Sequence, residues 1–295
     1  MNWQHLIYFK TVAEMKNYAK AAEFLFITPS ALSKAIHNLE IELGFPLFHR
    51  VGRLSVLTCY GQTFYECVFQ VSNSIDDCVQ HIHAEMGLVN GRIRIGGIYT
   101  MCSEYIPKII REIKKTYPDI KVELNYYTTD IILQNLLNGS IDLGFCGNFD
   151  LEDKTYGSLD RFYIKSEEIV VIVSSENELA KCPFLNFQVL QDENFIVHKN
   201  SNTGTNYIFR KLCAQYQIAP NIAFEAPDDQ SILGLVKNNL GIAVMADSPS
   251  LRCDGINFIH IQGECPPVRD QYMVWNKATA LSPITKAFQQ KVMLF

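Results

Sequence analysis

Ser30, Ser33, Lys34 and His37 fall at spacings of three, one and three, which gathers two hydroxyls, a cation and an imidazole on one stripe of a helix. No large apolar side chain interrupts that stripe. Short polar groups beside a cation, carried on the first turns of a helix, suit hydrogen bonding to base edges in the major groove of DNA. The opposite stripe has a different chemistry. Leu32, Ile36, Leu39 and Leu43 recur at spacings of four, three and four and predict a buried face. Thr28 makes a good N-cap, and Pro29 takes the first helical position, where a missing N–H costs nothing.

Neighbouring elements must hold this helix in place. Residues 18–26 read as a short helix rich in small side chains (Ala19, Ala21, Ala22), which permits close helix–helix approach. Residues 3–14 read as a further helix that covers both with Leu6, Phe9 and Ala13. After Gly44 the run 45–48 breaks the helix, and 49–58 reads as two short strands around Gly52. Arg50 and Arg53 flank that turn, within reach of phosphates or the minor groove. Periodicity alone leaves an alternative open: any three-helix bundle with a hairpin and solvated arginines has this pattern.

The first 60 residues also resemble the winged helix-turn-helix of the LysR-type transcriptional regulators. The resemblance is carried by Ala21-Ala22, by Thr28-Pro29-Ser30-Ala31-Leu32-Ser33-Lys34-Ala35-Ile36, by Leu39-Glu40 with Glu42-Leu43-Gly44, by Pro46-Leu47-Phe48 with Arg50, and by Leu57-Thr58 with Gly61. It implies DNA contact by Thr28, Pro29, Ser30, Ala31, Ser33, Lys34, His37, Arg50 and Arg53. Ala35 departs from the Gln common in that family, so operator preference does not carry over from relatives.

At 295 residues and 48% apolar content, the chain has room for more than one domain with its own core. The net charge of −5 argues against a body that binds polyanions throughout. Residues 1–60 hold six Lys and Arg against four acids, or +2, which leaves −7 for the remainder. So small a local excess implies a modest salt-dependent contribution per subunit and DNA binding by two or more subunits. No apolar run approaches the about 18 residues of a membrane span, and nothing resembles an export signal, so a cytoplasmic protein is expected. The nine cysteines show no Cys-x-x-Cys and no zinc-finger spacing; they read as reduced, mostly buried thiols, and no metal or cofactor is expected. Some family members sense peroxide through two cysteines close in sequence, whereas Cys182 and Cys213 here lie 31 residues apart. Cys78, His81 and His83 look like a ligand cluster, but only Cys78 and His81 share a helical face.

Residues 62–89 predict one long helix with no Pro and no Gly before Gly87. Phe64, Val68, Val71, Ile75, Cys78, Ile82 and Met86 recur close to a heptad seam, while acids and amides fill the other faces. Such a helix either packs back on its own domain or pairs with a second copy. The resemblance implies the second: an antiparallel dimerisation helix, hence two half-sites and an interrupted inverted repeat in double-stranded DNA.

From residue 91 onward strand and helix patterns alternate. Strands are expected at 92–97, 121–126, 141–145, 169–174, 195–198, 221–225, 242–245 and 271–275, and helices at 103–116, 130–138, 204–216, 229–238 and 283–294. Alternation of this kind predicts parallel sheets with helices on both faces, here two lobes with a cleft between them. The chain would cross between lobes near 164–168 and near 266–270. The organisation expected is a DNA-binding domain at 1–60, a linker helix at 61–90 and an α/β body at 91–295, with lobe I at 91–165 and 267–295 and lobe II at 166–266. The body resembles the effector-binding domain of the same family, which is similar to periplasmic solute-binding proteins. Carrying motifs are Leu137-Asn138-Gly139-Ser140-Ile141-Asp142-Leu143-Gly144 and Val236-Lys237-Asn238-Asn239-Leu240-Gly241-Ile242-Ala243, with Asn239 where Gly is common and Ala246 where Pro is usual.

In parallel α/β lobes, ligands sit beyond the carboxyl ends of strands, near helix N-termini with free N–H groups. That rule marks the loops 98–103 and 199–203 and predicts effector contacts from Thr100, Met101, Cys102, Ser103, Ser201, Asn202 and Thr203. Thr128, Thr129, Asn148 and His198 follow or end other strands facing the same cleft. These residues would hold a small molecule, most simply a carboxylate or other anion. Ser, Thr and Asn at such places also cap helices with no ligand present. There is no phosphate-binding Gly-rich loop, Gly-x-Ser-x-Gly elbow or His-Glu-x-x-His, and no catalytic residues are assigned. The resemblance implies a homodimer, paired into a tetramer through its effector domains, whose grip on DNA shifts with an effector and which recruits or blocks RNA polymerase. The alternatives are a ligand-independent architectural DNA binder and a thiol redox sensor.

Overall fold

In a computed structural model of the chain, residues 2–51, 54–85, 91–149, 154–199, 203–263 and 265–295 are described. They divide into two compact units, Met1–Val79 and Gln80–Phe295. Arg53, Ser201, Asn202 and the end of the linker at 86–90 lie outside the described residues, as do the side chains of His81 and His83.

The first unit contains α1 (Trp3–Met15), α2 (Tyr18–Phe24), α3 (Pro29–Leu43), the antiparallel hairpin β1 (Phe48–Val51) and β2 (Leu54–Leu57), and the start of α4 (Cys59–Glu85). Local chemistry sets the helix starts. Asn2 accepts from the Gln4 N–H, Asn17 from those of Ala19 and Lys20, and Thr28 from that of Ala31. Gly44, at φ 80°, closes α3 in the left-handed conformation. Phe9, Val12, Ala21, Ala22, Leu32, Ile36, Leu39 and Leu47 form the core.

Two contacts fix the hairpin on the helices. Glu40, on the last turns of α3, accepts from the backbone N–H of Leu47 at 2.7 Å and of Phe48 at 3.2 Å. Thr58 Oγ1 donates to the Pro46 carbonyl at 2.7 Å and accepts from the Gly61 N–H at 2.9 Å, so α4 begins three residues before the expected start at 62. A β-carbon at Gly61 would overlap the carbonyl of Leu47, which explains a glycine in the first turn of a long helix. Farther along, Val68 is buried in the core with Phe64 and Tyr65 packed beside it, and Lys10 of α1 lies over the Phe69 ring. Val71, Ile75, Val79 and Ile82 stay exposed. The apolar seam of α4 therefore has two parts, an early one inside its own unit and a later one facing outward.

The second unit contains β3 (Arg92–Gly97), a π-helical turn (Met101–Tyr105), α5 (Ile106–Thr116), β4 (Lys121–Tyr126), α6 (Thr129–Leu137), β5 (Leu143–Cys146), β6 (Leu159–Ser174), β7 (Phe184–Leu185), β8 (Asn194–His198), α7 (Gly204–Gln215), β9 (Asn221–Ala226), α8 (Asp229–Lys237), β10 (Ala243–Ala246), β11 (Ile256–Ile261), β12 (Val268–Asn276) and α9 (Pro283–Met293). Lobe I is the sheet β4-β3-β5-β12-β6, and lobe II continues from the same β6 to β10 on one side and to β11 and β7 on the other. β8 and β9 form a parallel pair that meets Ile242, just before β10, through Phe195.

The expectation of purely parallel sheets is corrected. β3 pairs in parallel with β4 and β5, but β6 is antiparallel to β10, β11 and β12, and β12 is antiparallel to β5. The reason lies in the connections: β6 and β12 carry the chain between lobes in opposite directions, and each pairs as it passes. β6 leaves β12 at Glu168 and meets β10 and β11 from Ile169. From Ile169 to Val173 it is apolar at every position because both faces are covered. Ile169, Val171 and Val173 enter one core of lobe II, and Val170 and Ile172 enter the other.

Within the 137–144 motif, Asp142 and Gly139 have structural partners. Asp142 accepts from the Arg94 backbone N–H at 2.6 Å and from its guanidinium, while Arg94 Nη1 donates to the Gly139 carbonyl at 2.9 Å. Asn239 takes the left-handed conformation (φ 54°) at the matching turn of lobe II, which Asn tolerates better than most residues.

Replacing Gly61 with Ala should destabilise the N-terminal unit by about 1–3 kcal/mol through overpacking against Leu47. The measurement is the urea midpoint of that unit, and an unchanged midpoint would mean that α4 can move off the Leu47 carbonyl.

Candidate functional site

Thr28, Pro29, Ser30, Ala31, Ser33, Lys34 and His37 are all exposed, and they run from the N-cap of α3 to just past its middle. Leu32, Ile36 and Leu39 are buried on the opposite side, so the two stripes separate as their spacing predicts. Thr28 Oγ1 is occupied with the Ala31 N–H at 3.2 Å and stands 3.1 Å from Ser30 Oγ, so these two hydroxyls also hold the start of the helix. Ala35 is only 9% exposed, which sets this position at the edge of the core rather than on the open stripe. The turn before α3 closes through Phe26, whose left-handed backbone (φ 56°) leaves its ring exposed.

The hairpin stands beside this face. Pro29, Ser33, His37, Glu40, His49 and Arg50 line one groove between α3 and the hairpin. Arg50 is exposed on β1, directly across from Ser55 on β2, whose N–H donates to the Lys16 carbonyl at 3.2 Å. Tyr18 forms the inner wall against Phe48. Burial, and then the neighbouring Glu40, push its phenol up to about 12, so it remains protonated. The groove offers hydroxyls, two imidazoles and a guanidinium above a protonated, apolar-backed floor.

In the second unit, a small cleft open to solvent lies between the lobes. Of the expected residues, Thr128, Thr129, His198 and Thr203 line it. Tyr99, Tyr126, Asp229 and Arg269 line it as well and were not anticipated. His198 Nε2 and Asp229 Oδ1 stand 2.9 Å apart. Burial first, then Asp229 and Asp228, push the Tyr126 phenol well above its usual range. Several contacts bridge the lobes: Thr203 Oγ1 donates to Asp130 at 3.0 Å, Gln230 Nε2 to the Tyr99 hydroxyl at 2.8 Å, and Ser248 Oγ and the Ser250 N–H to Glu104 at 2.9 and 2.7 Å.

Five of the expected residues lie elsewhere than on the cleft wall. Met101 is fully buried in the lobe I core, because the π-helical turn directs it inward. That turn precedes Pro107, which has no N–H to offer the carbonyl of Ser103. Ser103 Oγ donates to the Tyr99 carbonyl at 2.9 Å, and Cys102 Sγ packs 3.7 Å from the Asn125 carbonyl. Neither lines the cleft. Asn148 braces β12, accepting from the Asp270 N–H at 2.9 Å. Thr100, only 2% exposed, belongs to a buried network instead of an open loop.

That network sits where β6 and β12 cross between lobes. Arg269 pairs in register with Glu167, and its Nη2 donates to Glu167 Oε2 at 2.5 Å and to Thr100 Oγ1 at 2.9 Å. Arg269 Nη1 reaches Thr205 of lobe II at 3.3 Å, and Gln271 Nε2 donates to Glu167 Oε2 at 2.5 Å and to Thr100 Oγ1 at 3.2 Å. Lys165 Nζ stands 3.0 Å from Glu167 Oε1 as an ion pair outside hydrogen-bond geometry. No local pattern marks these residues; only Arg269-x-Gln271 in a strand otherwise partly apolar offered a hint. Removing one member of a buried pair leaves the other uncompensated, so Arg269→Ala should lower the stability of the C-terminal unit by about 3–5 kcal/mol. Denaturant unfolding measures this, and a loss under about 1 kcal/mol would mean that solvent reaches Glu167 freely.

The thiols do not resemble a redox centre. Burial pushes Cys102 and Cys213 up to about 11, and Cys146 higher still, which disfavours the reactive thiolate. Cys59, Cys67, Cys78, Cys182, Cys253 and Cys265 are exposed, which corrects the expectation of mostly buried thiols. Among the described residues, no group of three or more His, Cys, Asp or Glu side chains is placed to hold a metal ion, and no helix is long and apolar enough to cross a membrane.

Comparison with known proteins agrees with this architecture. Residues 3–62 match the family described as bacterial regulatory helix-turn-helix protein, lysR family, and residues 86–292 match the LysR substrate binding domain. The chain is 30% identical to the uncharacterized HTH-type transcriptional regulator YybE of Bacillus subtilis (strain 168), over 99% of this chain and 98% of YybE. Full-length CbnR, a LysR family transcriptional regulator crystallised with its target DNA, superposes with a TM-score of 0.77 at 22% identity, covering 100% of this chain and 99% of CbnR. The effector binding domain of QuiR in complex with shikimate superposes with a TM-score of 0.64 at 26% identity, covering 70% of this chain and 96% of that domain. Two matched domains in this order, with a relative aligned end to end, establish that the chain belongs to the LysR family of transcriptional regulators.

Proposed function

We propose that the protein binds an interrupted inverted repeat in double-stranded DNA as a homodimer, and that a small molecule in the interlobe cleft alters that grip. The observation that carries the reading is the exposed polar stripe of α3 beside Arg50, set on a core that leaves it no packing role. Thr28, Pro29, Ser30, Ala31 and Ser33 would approach the DNA at the first turns of α3, Lys34 and His37 would reach base edges or phosphates, and Arg50 with Arg53 would touch the backbone beside them. CbnR, which shares this fold, has been crystallised with its target DNA, which supports DNA as the partner. The outward seam of α4 (Val71, Ile75, Val79 and Ile82) supports pairing of two chains, and tetramers would form by further pairing of effector domains. The complex of the QuiR effector binding domain with shikimate supports small-molecule binding by the C-terminal unit. A ligand favouring one lobe arrangement would change the spacing of the DNA-binding pair and so the recruitment or exclusion of RNA polymerase.

Lys34→Ala should weaken operator binding about tenfold or more, with a loss at one base pair if it meets a base edge and a uniform loss if it meets phosphate. Arg50→Ala should weaken binding to all sequences alike and reduce the salt slope by about one unit. Fluorescence anisotropy over a salt series measures both, and wild-type affinity in the two variants at physiological salt would exclude this docking. Ile75→Asp combined with Ile82→Asp should shift the protein from dimer towards monomer in sedimentation at micromolar concentration. An undisturbed dimer would place the dimer interface elsewhere.

A further inference from the structure

The interlobe cleft has opposite chemistry at its two sides. Arg269 is only 6% exposed, and both its terminal nitrogens are engaged, by Glu167, Thr100 and Thr205. Its Nε–H, equally buried, has no partner. A buried guanidinium donor without an acceptor is unfavourable, and a carboxylate is the acceptor that it prefers. Across the cleft, Asp229 stands on the first turn of α8 with one oxygen on His198 Nε2. Glu167 stands between Arg269 and Lys165, so a plain anion on the Arg269 Nε–H would gain that donor but also meet the Asp229 carboxylate beside His198. A plain cation would leave the Arg269 Nε–H bare.

We propose that the cleft binds a zwitterion, a free α-amino acid or close amino-carboxylate, with its carboxylate on Arg269 Nε and the Thr128 and Thr129 side, and its ammonium group on Asp229. This rests on the reading of the cleft as the effector site and adds the chemical class of the effector. The position of Tyr126 supports it, since its hydroxyl lies within electrostatic reach of Asp229, Asp228 and Arg269 together. Tyr99 and Tyr126, edge to face with ring centroids 6.1 Å apart, supply an apolar wall for the ligand's side chain.

The test is thermal unfolding of the full chain with each of the twenty L-amino acids at millimolar concentration, beside the 2-hydroxy acid analogue of each amino acid that shifts it, and beside benzoate and shikimate. At least one amino acid should raise Tm by about 2 °C or more, and its 2-hydroxy analogue should bind at least tenfold more weakly. Asp229→Asn should abolish that preference for the amine while leaving the unliganded Tm near wild type, whereas Arg269→Gln should weaken both compounds. If no amino acid shifts Tm, or the hydroxy analogue binds equally well, the proposal is overturned. Benzoate or shikimate acting where no amino acid does would overturn the zwitterion and keep the cleft as an effector site. Operator footprints separate the underlying reading: an amino acid that binds yet leaves the footprint unchanged would refute regulation through the cleft and not the ligand class.

Discussion

The contact between Arg269 and Glu167 holds the C-terminal unit together at its weakest topological point. Only β6 and β12 carry the chain across the junction of the lobes within their paired stretch, and these two residues face each other in register there. The pair is buried and its charges are opposite, so their desolvation must be offset by geometry. Thr100, Thr205 and Gln271 provide that geometry, and they come from both lobes and from the crossing strand itself. The arrangement of the lobes and the polarity of the cleft between them therefore follow from the same few atoms.

Charge is distributed to match the division of labour between the units. The first 60 residues carry a slight positive excess and the remainder a clear negative one. Counterion release by so few cations is limited, so charge alone would give the N-terminal unit only weak attraction to a polyanion. The groove beside α3 is held rigid by Glu40 and Thr58, neither of which stands on the exposed stripe. Rigid presentation of a few polar groups is the physical basis for reading base edges rather than merely adhering to phosphate.

What could be read in the sequence was local. Thr28, Pro29 and the spacing of Leu32, Ile36 and Leu39 define α3 within a dozen residues, and the same residues separate its polar and apolar faces. The second half of β6 was visible as an apolar run. Its first half was not, because Asp160, Arg161 and Lys165 give it no alternation, and the direction of its pairing is decided by connections far away in the chain. Arg269 and Glu167 are separated by 102 residues, so nothing near either one announces the other. Met101 shows the converse failure: it lies in the expected loop, but the turn forced by Pro107 sends its side chain into the core.

The close seat of Gly61 on Leu47 has a mechanical consequence. The first turn of α4 touches backbone, with no side chain between as a cushion, and Thr58 bolts the same spot to Pro46. Leu47 and Phe48 are in turn tied to Glu40 at the far end of α3. A roll or slide of α4 about its axis has no slack in which to dissipate. The first turn of α4, the hairpin and α3 are therefore joined backbone to backbone into one stiff piece.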